Sequence, residues 1–162
     1  MLDIPSITGI VAAVGVIVGV VLTVLQLRDL VKTRQTDLVM RLYRAFGSKE
    51  FLEARRTVMN LKFEDYNDYV KKYGRFGQVE AVSEVCMFFE GIGVLLHRKL
   101  IDLSLIDDLF SPISIRIIWE KMKPVVAGWR NQFNEPETLE WFENLYNEMQ
   151  KYREQKLQQI RR

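Results

Sequence analysis

Hydrophobic and polar positions divide this chain sharply. From Ile4 to Leu27 none of 24 residues is charged (IPSITGIVAAVGVIVGVVLTVLQL), and the run is bounded by Asp3 and Arg28. As a helix it reaches about 36 Å, enough to cross a hydrocarbon core of about 30 Å with some tilt. Pro5 suits a first helical turn, where its missing N–H costs nothing. The modest helix propensity of Val and Ile matters little in lipid, where a helix is the only single segment that satisfies its own backbone. A cleaved signal peptide needs a basic leader and a shorter apolar stretch, whereas this chain offers Asp3. The pattern therefore predicts a transmembrane anchor over 1–27 and a second domain over 28–162.

Beyond Arg28 the apolar positions recur at helical spacing. No breaker occurs between Pro5 and Gly47-Ser48, so one helix of about 40 residues is expected to leave the membrane and project into the cytoplasm. Arg34 and Gln35 interrupt its stripe, which argues against a sustained coiled coil. Ser48 reads as the N-cap of a helix over 49–60. Lys62–Tyr73 reads as a short helix with Tyr66, Tyr69 and Tyr73 on one side. Gly74 and Gly77 mark a loop. Gln78–Lys99 is a strongly apolar helix with Val79, Val82, Cys86, Phe89, Gly93 and Leu96 on one face. Ser104–Phe110 is a short helix. Ser111-Pro112 opens the next, with Ser as cap and Pro at the first position; it runs to about Gln132, with Pro124 ending or kinking it. Asn134-Glu135-Pro136 starts a final helix that turns Leu139, Phe142, Leu145, Met149 and Tyr152 inward, and a polar tail from Gln155 frays. No strand pattern or hairpin dipeptide appears. The expected fold is all-α: one N-terminal transmembrane helix continuing into a cytoplasmic bundle of about five or six helices.

Charge supplies an orientation. Arg28, Lys32 and Arg34 follow the apolar run, with Arg41 and Arg44 beyond, while only Asp3 and the terminal amine precede it. The positive-inside rule puts the N-terminus outside and residues 28–162 in the cytoplasm of a cell membrane. A single Cys agrees with a reducing compartment. Residues 28–62 carry a net +5 and residues 78–162 a net −2. The basic part adjoins the span, where it is either a solvated helix face or a contact for anionic headgroups. The whole chain sums to +2, which is no footprint for nucleic acid.

Within the apolar run, Thr8, Ala12, Gly15, Gly19 and Thr23 line one helical face, and Gly15–Gly19 is a GxxxG. Small residues let two helix backbones approach in lipid, so self-association into a homo-oligomer is expected.

Catalytic constellations are hard to assemble from the rest. One Cys and one His exclude disulfide frameworks, multi-cysteine centres and multi-histidine metal sites within one chain. Neither GxxxxGK nor GxGxxG nor GxSxG occurs, and no cofactor is indicated. Cys86 and His97 stand about 16 Å apart along one helix, too far for a nucleophile pair. Gly91-Ile92-Gly93 reads as close helix packing. Glu80 and Glu84 read as surface carboxylates. Glu90 differs, because Phe88, Phe89, Gly91 and Ile92 surround it. It is a candidate buried carboxylate, with Arg116 or Arg130 as partner; such pairs organise folds more often than they catalyse. Trp119, Trp129, Trp141 and Phe142 read as core, or as a partner groove.

The string Phe88-Phe89-Glu90-x-Ile92-Gly93-x-Leu95, then Leu100-Ile101-Asp102, Leu109-Phe110, Trp119 with Pro124, Arg130, and Trp141-Phe142-Glu143-x-Leu145-Tyr146 resembles a family of uncharacterised prokaryotic single-span membrane proteins with a helical cytosolic domain of unknown function. The likeness covers roughly residues 25–155 and implies architecture and a prokaryotic source, but no reaction.

Two functional readings remain open. The first is a membrane-anchored, non-enzymatic interaction or signalling module that meets a protein partner, with a membrane-acting stress or defence effector as one form of it. The second is an enzyme or ligand sensor with an interhelical pocket around Glu90, Arg116 and Arg130.

Overall fold

A computed structural model describes residues 4–75 and 79–160, with the side chains of 4–12 and of Val79 outside that description. Among the described residues there are seven helices and no strand. They are α1 (Ile4–Phe46), α2 (Lys49–Asn60), α3 (Tyr66–Tyr73), α4 (Val79–His97), α5 (Leu103–Leu109), α6 (Pro112–Phe133) and α7 (Glu140–Ile160). The chain divides into two compact units, Met1–Met40 and Arg41–Arg162. That division falls inside α1, later than the 27/28 edge that hydropathy sets, because the charged residues after Leu27 simply prolong the helix.

Among its described residues the first unit is helix alone. Its apolar side chains from Val14 to Leu27 are exposed, Val16 at 66% and Ile17 at 62%. The Thr23 hydroxyl donates to the Gly19 carbonyl at 2.8 Å, so it carries no unmet polar demand out of the helix. Thr33 and Thr36 do the same to Asp29 and Lys32.

The second unit is a bundle in which α4 is the central member, packing most extensively on α7 and then on α2. Val82, Val85, Cys86, Phe89 and Ile92 of α4 are fully buried. Phe142, Leu145 and Met149 of α7, Ile118, Trp119 and Met122 of α6, and Phe51 and Val58 of α2 are buried as well, and α7 and α2 pack on α4 while α6 packs on α7 and α2. Aromatic rings dominate the core. Phe89 stacks on Phe142 at 5.0 Å, Trp119 meets Phe142 edge-on at 5.0 Å, and Phe46, Phe51 and Phe88 close a cluster around them. Each such ring contributes about 1.5–3 kcal/mol through burial.

Ser48 caps α2 as expected, its hydroxyl accepting from the Phe51 N–H at 3.1 Å. Several boundaries differ. α3 starts at Tyr66, not Lys62, because the Asp65 side chain caps it by accepting from the Asp68 N–H at 2.8 Å. Ser111 does not cap α6 with its hydroxyl; its carbonyl instead accepts from Ser114 at 2.8 Å, with Pro112 in the first turn as expected. Pro124 does not end α6, which continues to Phe133. α7 does not fray at Gln155: it continues to Ile160, and Lys156 pairs with Asp107 near the end of α5 at 2.7 Å. α7 also starts six residues later than Asn134, a displacement that shapes the next region.

Candidate functional site

Glu90 sits on the α4 face that meets the start of α7. Between α6 and α7 the chain turns twice: Asn134 is left-handed and the Glu135 N–H returns to the Arg130 carbonyl at 3.1 Å. Leu139 then takes φ +56, and α7 begins at Glu140. A leucine at that boundary has no side-chain acceptor for the free N–H groups of the first turn. Glu90 supplies one from another helix. Its Oε2 accepts from the Phe142 N–H at 2.7 Å, and the Trp141 N–H also bonds to the carboxylate. A carboxylate here also faces the positive end of the α7 dipole.

Two neighbours on the same α4 face make this approach possible. Gly93, one turn on, admits the Trp141 backbone: a Cβ there would lie 2.0 Å from the Trp141 carbonyl oxygen. His97, a further turn on, lays its ring against the Trp141 indole, with centroids 3.9 Å apart. Positions 90, 93 and 97 therefore form one seam of polar cap, backbone contact and ring contact.

The expected pairing of Glu90 with an arginine is corrected. Arg130 is half-buried and engaged elsewhere: its Nε donates to the Thr138 carbonyl at 2.9 Å and its guanidinium to Glu143 Oε2 at 2.7 Å. It thereby clasps the turn that leads into α7. Arg116 is exposed and lies near Tyr146, Met149 and Arg153, away from Glu90. Glu90 itself is half-buried, and among the described residues no charged side chain is fully buried. Burial pushes the Glu90 carboxyl above its ordinary value; the Phe142 and Trp141 N–H groups oppose that, Glu140 adds to it, and Arg130 opposes it at longer range. Glu90, Arg116 and Arg130 thus have different neighbours: the Phe142 N–H, the Tyr146–Met149 side of α7, and Thr138 with Glu143. Thr138, which accepts through its backbone carbonyl, has no pattern in the sequence that marks it, and the sequence offers Trp141 as core or groove without showing that its backbone meets Gly93.

Cys86 is buried, and burial, followed by the nearby Glu90 charge, pushes its thiol up to about 12. It is protonated at neutral pH and is a packing residue. A shallow groove of ≈ 610 Å³ runs between α3 and α6, lined by Asp65, Asn67, Arg75 and Asn131 among others. Beside it the Tyr66 hydroxyl donates to Gln132 Oε1, and the Tyr66 ring fills the space over Gly128. Asp65 is already committed to capping α3.

The remaining sequence candidates lie on α1. Gly15 and Gly19 are open: a Cβ at either would meet nothing within 4 Å. Thr23 lies on the same exposed helix, whereas the side chains of Thr8 and Ala12 lie outside the described residues. Arg28, Lys32 and Arg34 are exposed just past the apolar run. Over Ala13–Phe46 α1 is the one helix among the described residues long and apolar enough to cross a membrane.

A small helical domain preceded by a single helix of membrane-crossing length and composition defines the class. Within it the chain belongs to the DUF4760 family, a domain of unknown function, whose model matches residues 10–149. No curated protein and no solved structure matches the chain.

Proposed function

We propose that this chain is a single-pass, membrane-anchored interaction module of a prokaryotic cell membrane, with the N-terminus outside and the helical domain in the cytoplasm. The span self-associates, and the bundle meets a protein partner or passes a conformational change to the membrane without catalysing a reaction. The observation that supports this most is the exposed apolar surface of α1. Every described side chain from Ala13 to Leu27 is exposed, and the run carries no charge for water to solvate. The open surface at Gly15 and Gly19 is what close approach of a second helix requires. The basic residues Arg28, Lys32 and Arg34 support the orientation. The contacts of Glu90 with the Phe142 N–H and of Arg130 with Thr138 and Glu143, at the start of α7, favour a part in holding the bundle together.

The test is native mass measurement of the full chain in a mild detergent after purification from bacterial membranes. A discrete oligomer that falls to a single chain in Gly15→Leu and Gly19→Leu is the expected result. A single chain in the unmodified protein would sink the self-association, and a chain washed from membranes by alkaline carbonate would sink the anchor.

A further inference from the structure

α2 and α6 run side by side in the same direction. Arg55 donates to the Ser114 hydroxyl at 3.4 Å, and six residues further along α2 the Leu61 carbonyl accepts from Lys121 at 2.6 Å. Between the helices lies a groove of ≈ 190 Å³ lined by Arg55, Met59, Ser114, Ile117 and Ile118. Met59 and Ile117 are both exposed there. Beside the groove the outward stripe of α2 reads Lys49, Leu52, Arg56, Met59, at steps of 3, 4 and 3, so cations and apolar side chains alternate along one line. Of the nearby carboxylates, Glu53 pairs loosely with Lys49 at 3.8 Å, and Glu120 of α6 is turned to the Tyr146 hydroxyl.

α4 carries the complement of this stripe. Glu80, Glu84 and Met87 follow one another at steps of 4 and 3, on the side of α4 turned away from the buried Val82, Val85 and Phe89. All three are exposed, Met87 at 61%. Among the described residues, Arg56, Glu80 and Glu84 make no side-chain hydrogen bond or ion pair. The two stripes also match in register. Arg56 to Met59 and Glu84 to Met87 are both steps of three, about 4.5 Å of helix rise. Laid parallel with Glu84 at Arg56, the α4 stripe sets Met87 at Met59, over the groove, and Glu80 between Lys49 and Arg56. Within one molecule the stripes cannot meet, because α2 and α4 pack through their inner faces, with Phe51 and Phe88 at 4.6 Å.

We propose that the α4 stripe of one copy docks on the α2–α6 groove of a second copy of this chain, with Met87 entering between Met59 and Ile117 while Glu80 and Glu84 meet Lys49, Arg55 and Arg56. A second copy is the occupant that the charges favour, since each copy carries both halves of the contact. A two-fold contact of the groove with itself is poorer, because it sets arginine against arginine. Joining two different faces, the contact passes from copy to copy. The inference deepens the self-association proposed for the span. Spans that associate hold their second units at high local concentration, where a small contact suffices.

The experiment places two forms of the full chain together in phosphatidylcholine vesicles, one with Met59→Cys and the other with Met87→Cys, with the buried Cys86 left in place. A short thiol-to-thiol cross-linker is added, and the chain pairs are told apart by different tags. The expected result is a clear excess of 59–87 pairs over 59–59 and 87–87 pairs. Arg56→Glu in the first form should lower the 59–87 yield roughly tenfold, and Glu84→Lys in the second form should then restore it. Equal yields of the three pairs, or a 59–87 yield indifferent to these charges, overturn the docking. Native mass of the same preparation separates the two self-associations. A discrete oligomer without 59–87 pairs overturns the docking and leaves the span's association standing. Charge-dependent 59–87 pairs from a chain that is single in detergent sink the span's association and leave the docking standing. In bacterial membranes, Met59→Cys joined to a different protein in place of a second copy also overturns the docking, because a foreign chain then covers the groove.

Discussion

Two apolar helices in this molecule meet opposite fates. The Ala13–Leu27 stretch of α1 exposes every described side chain, while α4 buries five in a row of helical turns from Val82 to Ile92. Hydrophobicity alone does not separate them. Placement of charge does. α4 carries Glu80, Glu84 and Glu90, with the first two exposed and the third bonded to the start of α7. α4 therefore has a wet side and a dry side, as a helix of a water-soluble bundle must. The apolar stretch of α1 has no charged side at all, which is the requirement of a helix solvated all round by lipid.

Truncation in the two helices sharpens that contrast, and the largest effect is expected at Phe89. Its ring is fully buried between Phe142, Phe51 and Phe88. Phe89→Ala should lower the stability of the second unit by about 3–5 kcal/mol. The check is urea unfolding of the full chain in detergent, followed by tryptophan fluorescence. Val16→Ala, on the exposed part of α1, should leave the same midpoint unchanged. Equal losses at both positions would mean that α1 packs as a core helix.

Next in size is Gly93. A methyl group there collides with the Trp141 backbone, which cannot yield as a side-chain end can. Gly93→Ala should cost about 1–3 kcal/mol, and the Trp141 emission should shift as α7 is pushed from α4. Gly15→Ala, open on all sides, should leave that unfolding curve where it is. The comparison breaks if the Gly93 variant unfolds like the unmodified protein.

Glu90 comes third, and its effect has a sign in pH. Its carboxyl is raised above the ordinary value of 4.5, so the folded state holds the proton more tightly than the unfolded state does. Its contribution is therefore most favourable at low pH and is lost as pH rises through the folded value. Unfolding midpoints of the unmodified protein relative to Glu90→Gln should accordingly rise on acidification toward that range. Glu90→Ala removes the acceptor for the α7 N–H groups at any pH and should cost about 0.5–2 kcal/mol. A relative midpoint that falls on acidification would show that the hydrogen bonds outweigh desolvation.

The periodic parts of this architecture were readable in the sequence, and the parts made by distant backbone were not. The uncharged run announced α1, Ser48 announced α2, and the apolar face of 79–96 announced α4, though not its central place. The start of α7 was misplaced, because Asn134-Glu135-Pro136 has the letters of a helix opening, whereas the chain first turns so that Trp141 can reach Gly93. The partner of Glu90 was misplaced for a related reason. A carboxylate in an apolar run suggests a cation, and two arginines lay within plausible reach in sequence. The acceptor's need was met by main-chain N–H groups, which every residue but proline carries and no letter marks. Arg130, one of those two arginines, instead holds Thr138 and Glu143 in the turn.

The smallest expected effect falls on Gly91, which stands two residues from Gly93 on the same helix with the opposite surroundings. A Cβ at 91 meets nothing within 4 Å, so no packing reason requires glycine there. In the interior of a helix glycine loses more backbone freedom on folding than alanine does. Gly91→Ala should therefore raise the stability of the second unit by about 0.5–1 kcal/mol, seen as a higher urea midpoint with an unchanged slope. The pair separates two uses of one residue, since at 93 the missing side chain is the contact itself and at 91 it is only a cost. A loss at 91 in the purified chain would mean that α4 presents this position to something the bundle does not supply, and the space beside Gly91 would then be a contact surface.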